Sequence, residues 1–133
     1  MSAVFLDTVG LLALWDVSDQ WHSAAEKAFV DLMSQRSTMV TTTFVLLECG
    51  NAAARRPYRD QVNKLRLVLE QRNEVVVPTI DDWTAAWQAY DRGEAGSAGI
   101  VDHVSILTMR KLGITEVFTN DRHFTAAGFR VLF

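Results

Sequence analysis

Four acidic residues of this 133-residue chain stand where carboxylate chemistry would be assembled. They are Asp7, Glu48, Asp102 and Asp121. Asp7 and Asp121 each follow a short run of apolar and β-branched residues that predicts a strand. Glu48 and Asp102 fall in the first turns of predicted helices. In a parallel α/β layout, strands end and the helices after them begin at one edge of the sheet, so the four side chains are expected to converge in the crevice where such folds bind ligands.

Carboxylates that converge in this way need a partner. Four anions within a few ångströms of one another must either raise their pKa values or bind a cation. A hard divalent ion with oxygen ligands is the natural neutraliser. The cluster therefore predicts Mg²⁺ or Mn²⁺, and chemistry on phosphate.

Three of these acids also have a purely structural interpretation. Asp7 could cap the helix that follows it, with Thr8 as a rival cap. Asp102 would be stabilised by the dipole of a helix near its N-terminus, and Asp121 could close an Asx turn at the end of a strand. Each alternative stays open for its residue alone, but all of them would have to hold while the acids converged by accident.

The helix predicted around Glu48 is nearly all apolar. Residues 44–54 contain only one polar pair, Glu48 and Asn51, at positions i and i+3. A helix that is apolar almost all round is expected to be buried, and a buried carboxylate is costly unless it is paired or bound to a metal. The alternative is a narrow polar stripe that faces solvent.

Short strands and longer helices alternate along the chain. Strand-like runs lie at 3–7, 39–43, 75–78, 116–119 and 130–133. Periodicity predicts helices over 21–36, 80–91 and 100–112, and the glycine-rich stretch 93–99 is expected to be a mobile loop. This alternation predicts the α/β class: one domain, residues 1–133, in which helices cover both faces of a short, mainly parallel sheet of about five strands.

The composition excludes several classes of protein. With 49% hydrophobic and 22% charged residues, the chain is expected to be globular, and no apolar run approaches the ~20 residues that span a membrane. The N-terminus lacks the features of a secretory signal, so a cytoplasmic location without a membrane partner is expected. The single cysteine, Cys49, excludes an internal disulfide, and the scattered histidines offer no zinc-type spacing.

A basic segment, residues 55–72, stands out from the net charge of −3. It carries six arginines or lysines and only two acids. Beside an acidic metal site such a segment suits a nuclease, because it attracts the phosphate backbone while the scissile phosphate meets the ions. Arg55, Arg56 and Arg59 are the cations expected to approach that backbone. The alternative is a solvated helix face.

Trp83, Trp87 and Tyr90 form a stripe at i, i+4 and i+7 of one predicted helix. The stripe favours the core or a subunit interface over a platform for stacking bases. Together with the apolar helix that starts at Phe44, it offers more hydrophobic surface than a small sheet must cover. This excess predicts a homodimer.

Four motifs occur in order along the chain. They are Asp7-Thr8 after the first strand, Thr43-Phe44-Val45-Leu46-Leu47-Glu48, Ile100-Val101-Asp102-His103-Val104-Ser105-Ile106 and Thr119-Asn120-Asp121-Arg122-His123-Phe124. At these intervals the set is specific, and it resembles the PIN domain, more narrowly the VapC toxins of bacterial and archaeal toxin–antitoxin pairs. The likeness runs the whole chain, down to the closing stretch 127–132.

The resemblance implies a PIN-like three-layer α/β/α fold and a Mg²⁺- or Mn²⁺-dependent endoribonuclease. Carried over by position, all four acids would act in catalysis, with Asp7, Asp102 and Asp121 as metal ligands and Glu48 completing the acidic pocket. Contacts with the substrate are expected from Thr8, Asn51, Arg55, Arg56 and Thr119. Of these, Thr119 would hold a metal-bound water or the phosphate.

The resemblance also implies two partners, an RNA substrate and a small antitoxin protein whose segment would lie across the acidic and basic groove. One position departs from the family pattern: many relatives carry Ser or Thr three residues before the third acid, where this chain has Gly99, so a hydroxyl contact there is in question. His103 and His123 flank two of the acids and could touch a phosphate, but a lone histidine beside a motif is usually structural.

Two other functions stay open at this point. A housekeeping PIN nuclease for RNA processing would use the same chemistry without an inhibitor. A non-catalytic module that binds phosphate or protein would use the α/β scaffold alone, although intact acids at all four positions argue against it.

Overall fold

Five parallel strands form one short sheet in the computed structural model, which describes residues 2–133. The strands are β1 (Ala3–Leu6), β2 (Thr38–Thr42), β3 (Val75–Val76), β4 (Glu116–Phe118) and β5 (Arg130–Val131). Every neighbouring pair is parallel, and the order across the sheet is β3-β2-β1-β4-β5. The five predicted strands are confirmed, although those predicted at 75–78 and 130–133 are shorter than expected.

Seven helices connect these strands within residues 2–133. They are α1 (Thr8–Trp15), α2 (His22–Ser34), α3 (Thr43–Ala53), α4 (Arg59–Gln71), α5 (Ile80–Asp91), α6 (Ile100–Leu112) and α7 (Arg122–Ala126). The predicted bounds of α5 and α6 are confirmed, and the predicted helix 21–36 is present but shorter. None of the helices in the described part of the chain is long and apolar enough to cross a bilayer.

The helices pack in two groups on opposite faces of the sheet. Helix α1 contacts α2 and α3, α3 contacts α4, and α5 packs along α6. The chain moves outward from β1 through β2 to β3, then returns across the sheet to β4 and β5 on the other side of β1. Because parallel crossovers are right-handed, the connections from β1 to β3 and those from β3 to β5 cover opposite faces of the sheet. Helix α3 of the first group also contacts α6 of the second. The three-layer α/β/α arrangement is therefore confirmed.

The central strand β1 lies between β2 and β4, and this position creates the crevice that holds the site. The chain leaves β1 toward one edge of the sheet and reaches β4 only after it returns, so the carboxyl ends of β1 and β4 flank the topological switch point. Asp7 directly follows β1, and Thr119 directly follows β4. The register pairs Leu6 with Phe118, which brings these two polar residues side by side.

The two central strands are almost fully buried. Val4, Phe5, Leu6, Val117 and Phe118 are at most 1% exposed. Strands covered by helices on both faces bury consecutive residues rather than alternate ones, which is why both segments are continuous apolar runs.

Helix α1 approaches β4 very closely at Gly10. A Cβ atom at this position would lie 2.1 Å from the carbonyl oxygen of Phe118, a distance at which backbone atoms would have to move. Glycine is required here because the backbones of the helix and the strand are almost in contact. The close approach holds the start of α1, and with it Asp7, against the end of β4.

The aromatic stripe of α5 does not belong to the core. Trp83, Trp87 and Tyr90 are 44%, 39% and 47% exposed. Their rings meet edge to face in a row that begins at Phe44 of α3 and ends at His103 of α6. The core interpretation of the stripe is wrong, because the buried positions of α5 are Asp82 and Ala86. The subunit interface stays a prediction.

Candidate active site

Asp7 is a buried carboxylate at the carboxyl end of β1, 1% exposed. Its Oδ2 accepts hydrogen bonds from the Thr119 hydroxyl at 2.8 Å and from the backbone N–H of Val9 at 3.3 Å, so it does cap α1. Its Oδ1 is buried and has no hydrogen-bond partner among the described residues. Burial, the largest cause, and the charge of Asp102 raise the pKa of Asp7 from its ordinary value of 3.8 to about 7.

Thr119 joins two of the acids. Its fully buried hydroxyl donates to Asp7 and accepts the backbone N–H of Asp121 at 3.1 Å. A hydroxyl has one proton to donate, and here that proton is given to a carboxylate. The expected contact between Thr119 and the substrate stays a prediction, whereas its contact with the acids is direct.

Asp102 and Asp121 approach the crevice from α6 and α7. Asp102 lies in the first turn of α6, where burial, the charge of Asp121 and the charge of Glu48 raise its pKa from 3.8 to about 6. Asp121 caps α7, and its Oδ1 accepts the backbone N–H of His123 at 2.9 Å. The structural interpretations are therefore correct: one acid lies in the first turn of a helix and the other caps a helix. The two acids nevertheless converge in the crevice.

Glu48 completes the group from α3, but its setting differs from the prediction. It is the sixth residue of the helix, beyond the first turn, and it is exposed. The argument from a buried carboxylate was wrong for Glu48, because α3 buries only one side, through Val45, Leu46, Cys49 and Ala53. The polar stripe of Glu48 and Asn51 faces solvent. The carboxylate is nevertheless held toward the crevice, since the Thr8 hydroxyl donates to its Oε1 at 2.6 Å.

The donor set of this crevice fits a divalent cation. Single ligand atoms of Asp102, Asp121 and His123 lie within 4.8 Å of one another. Asp7 adds a buried oxygen that nothing in residues 2–133 satisfies, and such an orphaned carboxylate oxygen is costly without a cation or a proton. The pKa values of Asp7 and Asp102 are raised first by burial and then by like-charge repulsion, and a bound cation would offset both.

The two histidines of the motifs have different surroundings. The buried ring of His103 bonds the Gly99 carbonyl through Nδ1 at 2.8 Å, and this contact ties the first turn of α6 together. Gly99 caps α6 without a side-chain hydrogen bond, so the hydroxyl found there in many relatives has no equivalent at that residue. His123 lies in the site itself, with Nδ1 2.7 Å from Asp121 Oδ1 and Nε2 3.1 Å from the hydroxyl of Ser97.

Two contacts of the site have no signal in the sequence. The bond between Thr8 and Glu48 joins residues 40 positions apart, and that between Ser97 and His123 joins residues 26 apart. Periodicity and turn chemistry describe neighbours along the chain, so neither contact could be found from them. The sequence indicated only that these residues are near the site: Thr8 follows Asp7, and Ser97 lies in the loop that leads to Asp102.

The expected substrate cations lie outside the crevice. Arg56 pairs with Asp16 at 3.1 Å, at the far end of α1, and its guanidinium lies over the Tyr58 ring. Because α1 has eight residues, this pair is on the order of 12 Å from Asp7. Arg55 is exposed and makes no ion pair within residues 2–133.

A large groove lies on the other side of α1. It has a volume of about 850 Å³ and runs between α2 and α4, and none of the four acids lines it. Its walls include the exposed apolar side chains of Val30, Met33 and Val68. Lys64 and Arg72 of the basic segment also line it, so that segment is divided between two surfaces.

The PIN domain family matches this chain over residues 4–130. The chain belongs to the PIN domain family. It is 30% identical over 131 residues to the 23S rRNA-specific endonuclease VapC20 of two Mycobacterium tuberculosis strains, an alignment that covers 95% of each chain. The crystal structure of that VapC20, described as a sarcin–ricin loop cleaving toxin, superposes with a TM-score of 0.78 at 29% identity and covers 95% of both chains.

A second solved structure, more distant in sequence, shares the fold. FitAcB from Neisseria gonorrhoeae matches with a TM-score of 0.63 at 16% identity, over 98% of this chain and 96% of its own. The PIN fold thus covers nearly the whole of the present chain, including the segments that carry the four acids.

Proposed function

We propose that this PIN-domain protein is a metal-dependent endoribonuclease that acts as the toxin of a VapC-type toxin–antitoxin pair. The single observation that carries the proposal is Asp7 at the switch point of the sheet. It is a buried carboxylate beside Asp102, its pKa is raised to about 7, and one of its oxygens has no hydrogen-bond partner within residues 2–133. Capping α1 needs only one oxygen of Asp7, and the buried second oxygen costs free energy unless a cation or a proton satisfies it.

The residues divide the work of phosphodiester hydrolysis among them. Asp7, Asp102 and Asp121 would hold Mg²⁺ or Mn²⁺, which supplies an activated water and stabilises charge on the phosphate. Thr119 fixes the Asp7 carboxylate from behind through its 2.8 Å hydrogen bond. Glu48, held by Thr8 at the exposed side of the crevice, would accept a proton from the attacking water at its carboxylate.

We propose ribosomal RNA as the substrate class. The support is the relative named a 23S rRNA-specific endonuclease, which is 30% identical over nearly the whole chain. Arg55, with Thr8 and Asn51 on the exposed side of α3 and α1, would contact the strand on either side of the cleaved bond. The protein would then work in the cytoplasm, where its substrate is.

The antitoxin is proposed to dock in the groove between α2 and α4. Its apolar walls and the cations Lys64 and Arg72 fit an amphipathic helix with one apolar side and acidic flanks. This placement replaces the expected single groove, because the acidic crevice and the apolar groove are separate surfaces on either side of α1. A segment that reached the crevice would have to extend beyond that helix.

Incubation of the purified protein with total RNA in Mg²⁺, Mn²⁺ or EDTA tests the proposed activity, with the cleaved ends mapped by sequencing. We expect metal-dependent cuts concentrated in 23S rRNA, and none in EDTA or with Asp7→Asn. Asp81→Asn, an exposed acid in the first turn of α5, is the matched control and should keep full activity. Metal-independent cleavage, or none with either ion, would refute the proposal and favour a non-catalytic module.

A further inference from the structure

Ser97, His123 and Asp121 form a linear chain of polar contacts at the rim of the acidic crevice. Ser97 Oγ lies 3.1 Å from His123 Nε2, and His123 Nδ1 lies 2.7 Å from Asp121 Oδ1. The chain connects the glycine-rich loop, residues 93–99, to the carboxylates. His123 is half-buried, and Ser97 is exposed.

The ring of His123 is not needed to orient Asp121. The same oxygen, Oδ1, already accepts the backbone N–H of His123 at 2.9 Å, and that bond caps α7. The ring nitrogen Nδ1 is therefore a second, separate group aimed at this carboxylate. Nδ1 can occupy that position only with a proton or a cation between it and the oxygen, because two lone pairs 2.7 Å apart repel each other.

The opposite ring nitrogen has the kind of partner that a metal-bound histidine uses. A histidine that binds a metal usually donates the N–H of its other nitrogen to a nearby oxygen, which fixes the tautomer and the ring orientation. Ser97 Oγ supplies such an oxygen at Nε2. With that proton on Nε2, Nδ1 has a free lone pair beside Asp121. One ring nitrogen of His123 and one carboxylate oxygen each of Asp102 and Asp121 lie within 4.8 Å of one another.

We infer that His123 is a direct metal ligand, which binds the ion together with Asp102 and Asp121 and makes the site select Mn²⁺ over Mg²⁺. Mg²⁺ prefers oxygen ligands in near-ideal geometry, whereas first-row transition metals accept imidazole nitrogen. Asp7 would complete the ligand set from the inner wall of the same crevice, where its buried Oδ1 has no partner within residues 2–133. The inference rests on the proposed metal site and adds a ligand and an ion preference to it.

Mn²⁺ bound to the full-length protein tests this ligand directly. Electron spin echo envelope modulation should reveal a directly coordinated ¹⁴N in the wild type. His123→Gln should remove that signal and weaken Mn²⁺ binding, measured by calorimetry, by about tenfold or more, with a much smaller change for Mg²⁺. His22→Gln is the matched control: that ring contacts the Ala13 carbonyl away from the acids, so the signal and both affinities should be unchanged.

Ser97→Ala separates the ligand from its support. The nitrogen signal should persist, while Mn²⁺ affinity should fall by up to about tenfold, as is common when the oxygen behind a metal-bound histidine is lost. Circular dichroism of each variant checks that the fold is intact.

Two outcomes would overturn the inference in distinguishable ways. If the wild type binds Mn²⁺ without a nitrogen signal, or if the signal survives His123→Gln, then His123 is not a ligand although the metal site stands. If the wild type binds neither Mn²⁺ nor Mg²⁺, the proposed function fails as well.

Discussion

The hydroxyl of Thr119 donates a 2.8 Å hydrogen bond to Asp7, a residue 112 positions away in the chain. The two residues lie at the ends of adjacent strands, β1 and β4, whose register places Leu6 beside Phe118. Because the same hydroxyl accepts the backbone N–H of Asp121, one buried group sets the positions of two acids.

Thr119→Val should therefore weaken the site as well as the fold. Loss of the buried hydroxyl leaves Asp7 with one donor fewer, and should lower the free energy of unfolding by about 1–3 kcal/mol. Metal affinity, measured by calorimetry, should fall too. Thr108→Val is the matched control, since the buried Thr108 hydroxyl bonds only the Val104 carbonyl of its own helix. Equal metal affinities for the two variants would contradict a role of Thr119 in placing the acids.

The raised pKa values predict how the stability of the metal-free protein depends on pH. In the folded chain the pKa is about 7 for Asp7 and about 6 for Asp102, against an ordinary value of 3.8. The folded chain therefore binds the protons of these two carboxyl groups more tightly than the unfolded chain does. The free energy of unfolding should therefore fall as pH rises from about 4 through about 7. Urea titrations across this range measure the effect. Affinity for Mg²⁺ or Mn²⁺ should rise over the upper part of the same range, because the ligands must lose their protons.

Asp7→Asn removes the most strongly perturbed of these charges. Asparagine can still accept the hydrogen bond from Thr119, so the fold should persist. In the absence of metal at pH 8 the free energy of unfolding should rise by about 1–4 kcal/mol, and its decline between pH 4 and 7 should flatten. RNA cleavage should be lost. Cleavage at the wild-type rate would show that Asp7 does not belong to the active site.

Gly10→Ala should be strongly destabilising. The added Cβ would meet the Phe118 carbonyl oxygen at 2.1 Å, so α1 would have to move away from β4. We expect a loss of about 3 kcal/mol or more by thermal or urea unfolding. Gly50→Ala, also within a helix but with nothing within 4 Å, should be neutral or stabilising by up to about 1 kcal/mol. A tolerated Gly10→Ala would mean that the two backbones separate easily.

The divided basic segment predicts two separable effects of charge reversal. Arg55→Glu with Arg59→Glu should weaken RNA binding and reduce the slope of log affinity against log salt by about 0.7 for each lost phosphate contact. Lys64→Glu with Arg72→Glu should instead weaken binding of the antitoxin in the groove between α2 and α4. Binding measurements with a catalytically inactive protein distinguish the two. If the first pair abolishes antitoxin binding and leaves the salt slope unchanged, Arg55 and Arg59 serve the inhibitor.

The exposed aromatic row predicts a homodimer formed through α3 and α5. Exposed tryptophans at the centre of such a surface are expected to contribute most of the association energy. Trp83→Ala with Trp87→Ala should convert a dimer to a monomer in light scattering at micromolar concentration. Trp21→Ala, an equally exposed tryptophan at the start of α2, should leave the dimer intact. A wild-type monomer would refute the dimer.

Local patterns in the sequence were sufficient for the elements and for where three of the four acids stand in them. The strand runs, the bounds of α5 and α6, and the position of Asp7, Asp102 and Asp121 at the ends or starts of elements all follow from periodicity and capping, which act between residues a few positions apart. The resemblance of the four motifs to a PIN domain likewise depended only on their order and spacing along the chain.

Only the tertiary structure decided which of these groups touch. The strand order sets β4 against β1, and this long-range choice makes Thr119 a partner of Asp7 and brings Ser97 to His123. Tertiary packing also decides that Glu48 is exposed. An apolar helix is buried only where another element covers it, and α3 is covered on one side. Contacts between distant segments depend on how whole helices and strands pack, and no pattern within a single segment contains that information.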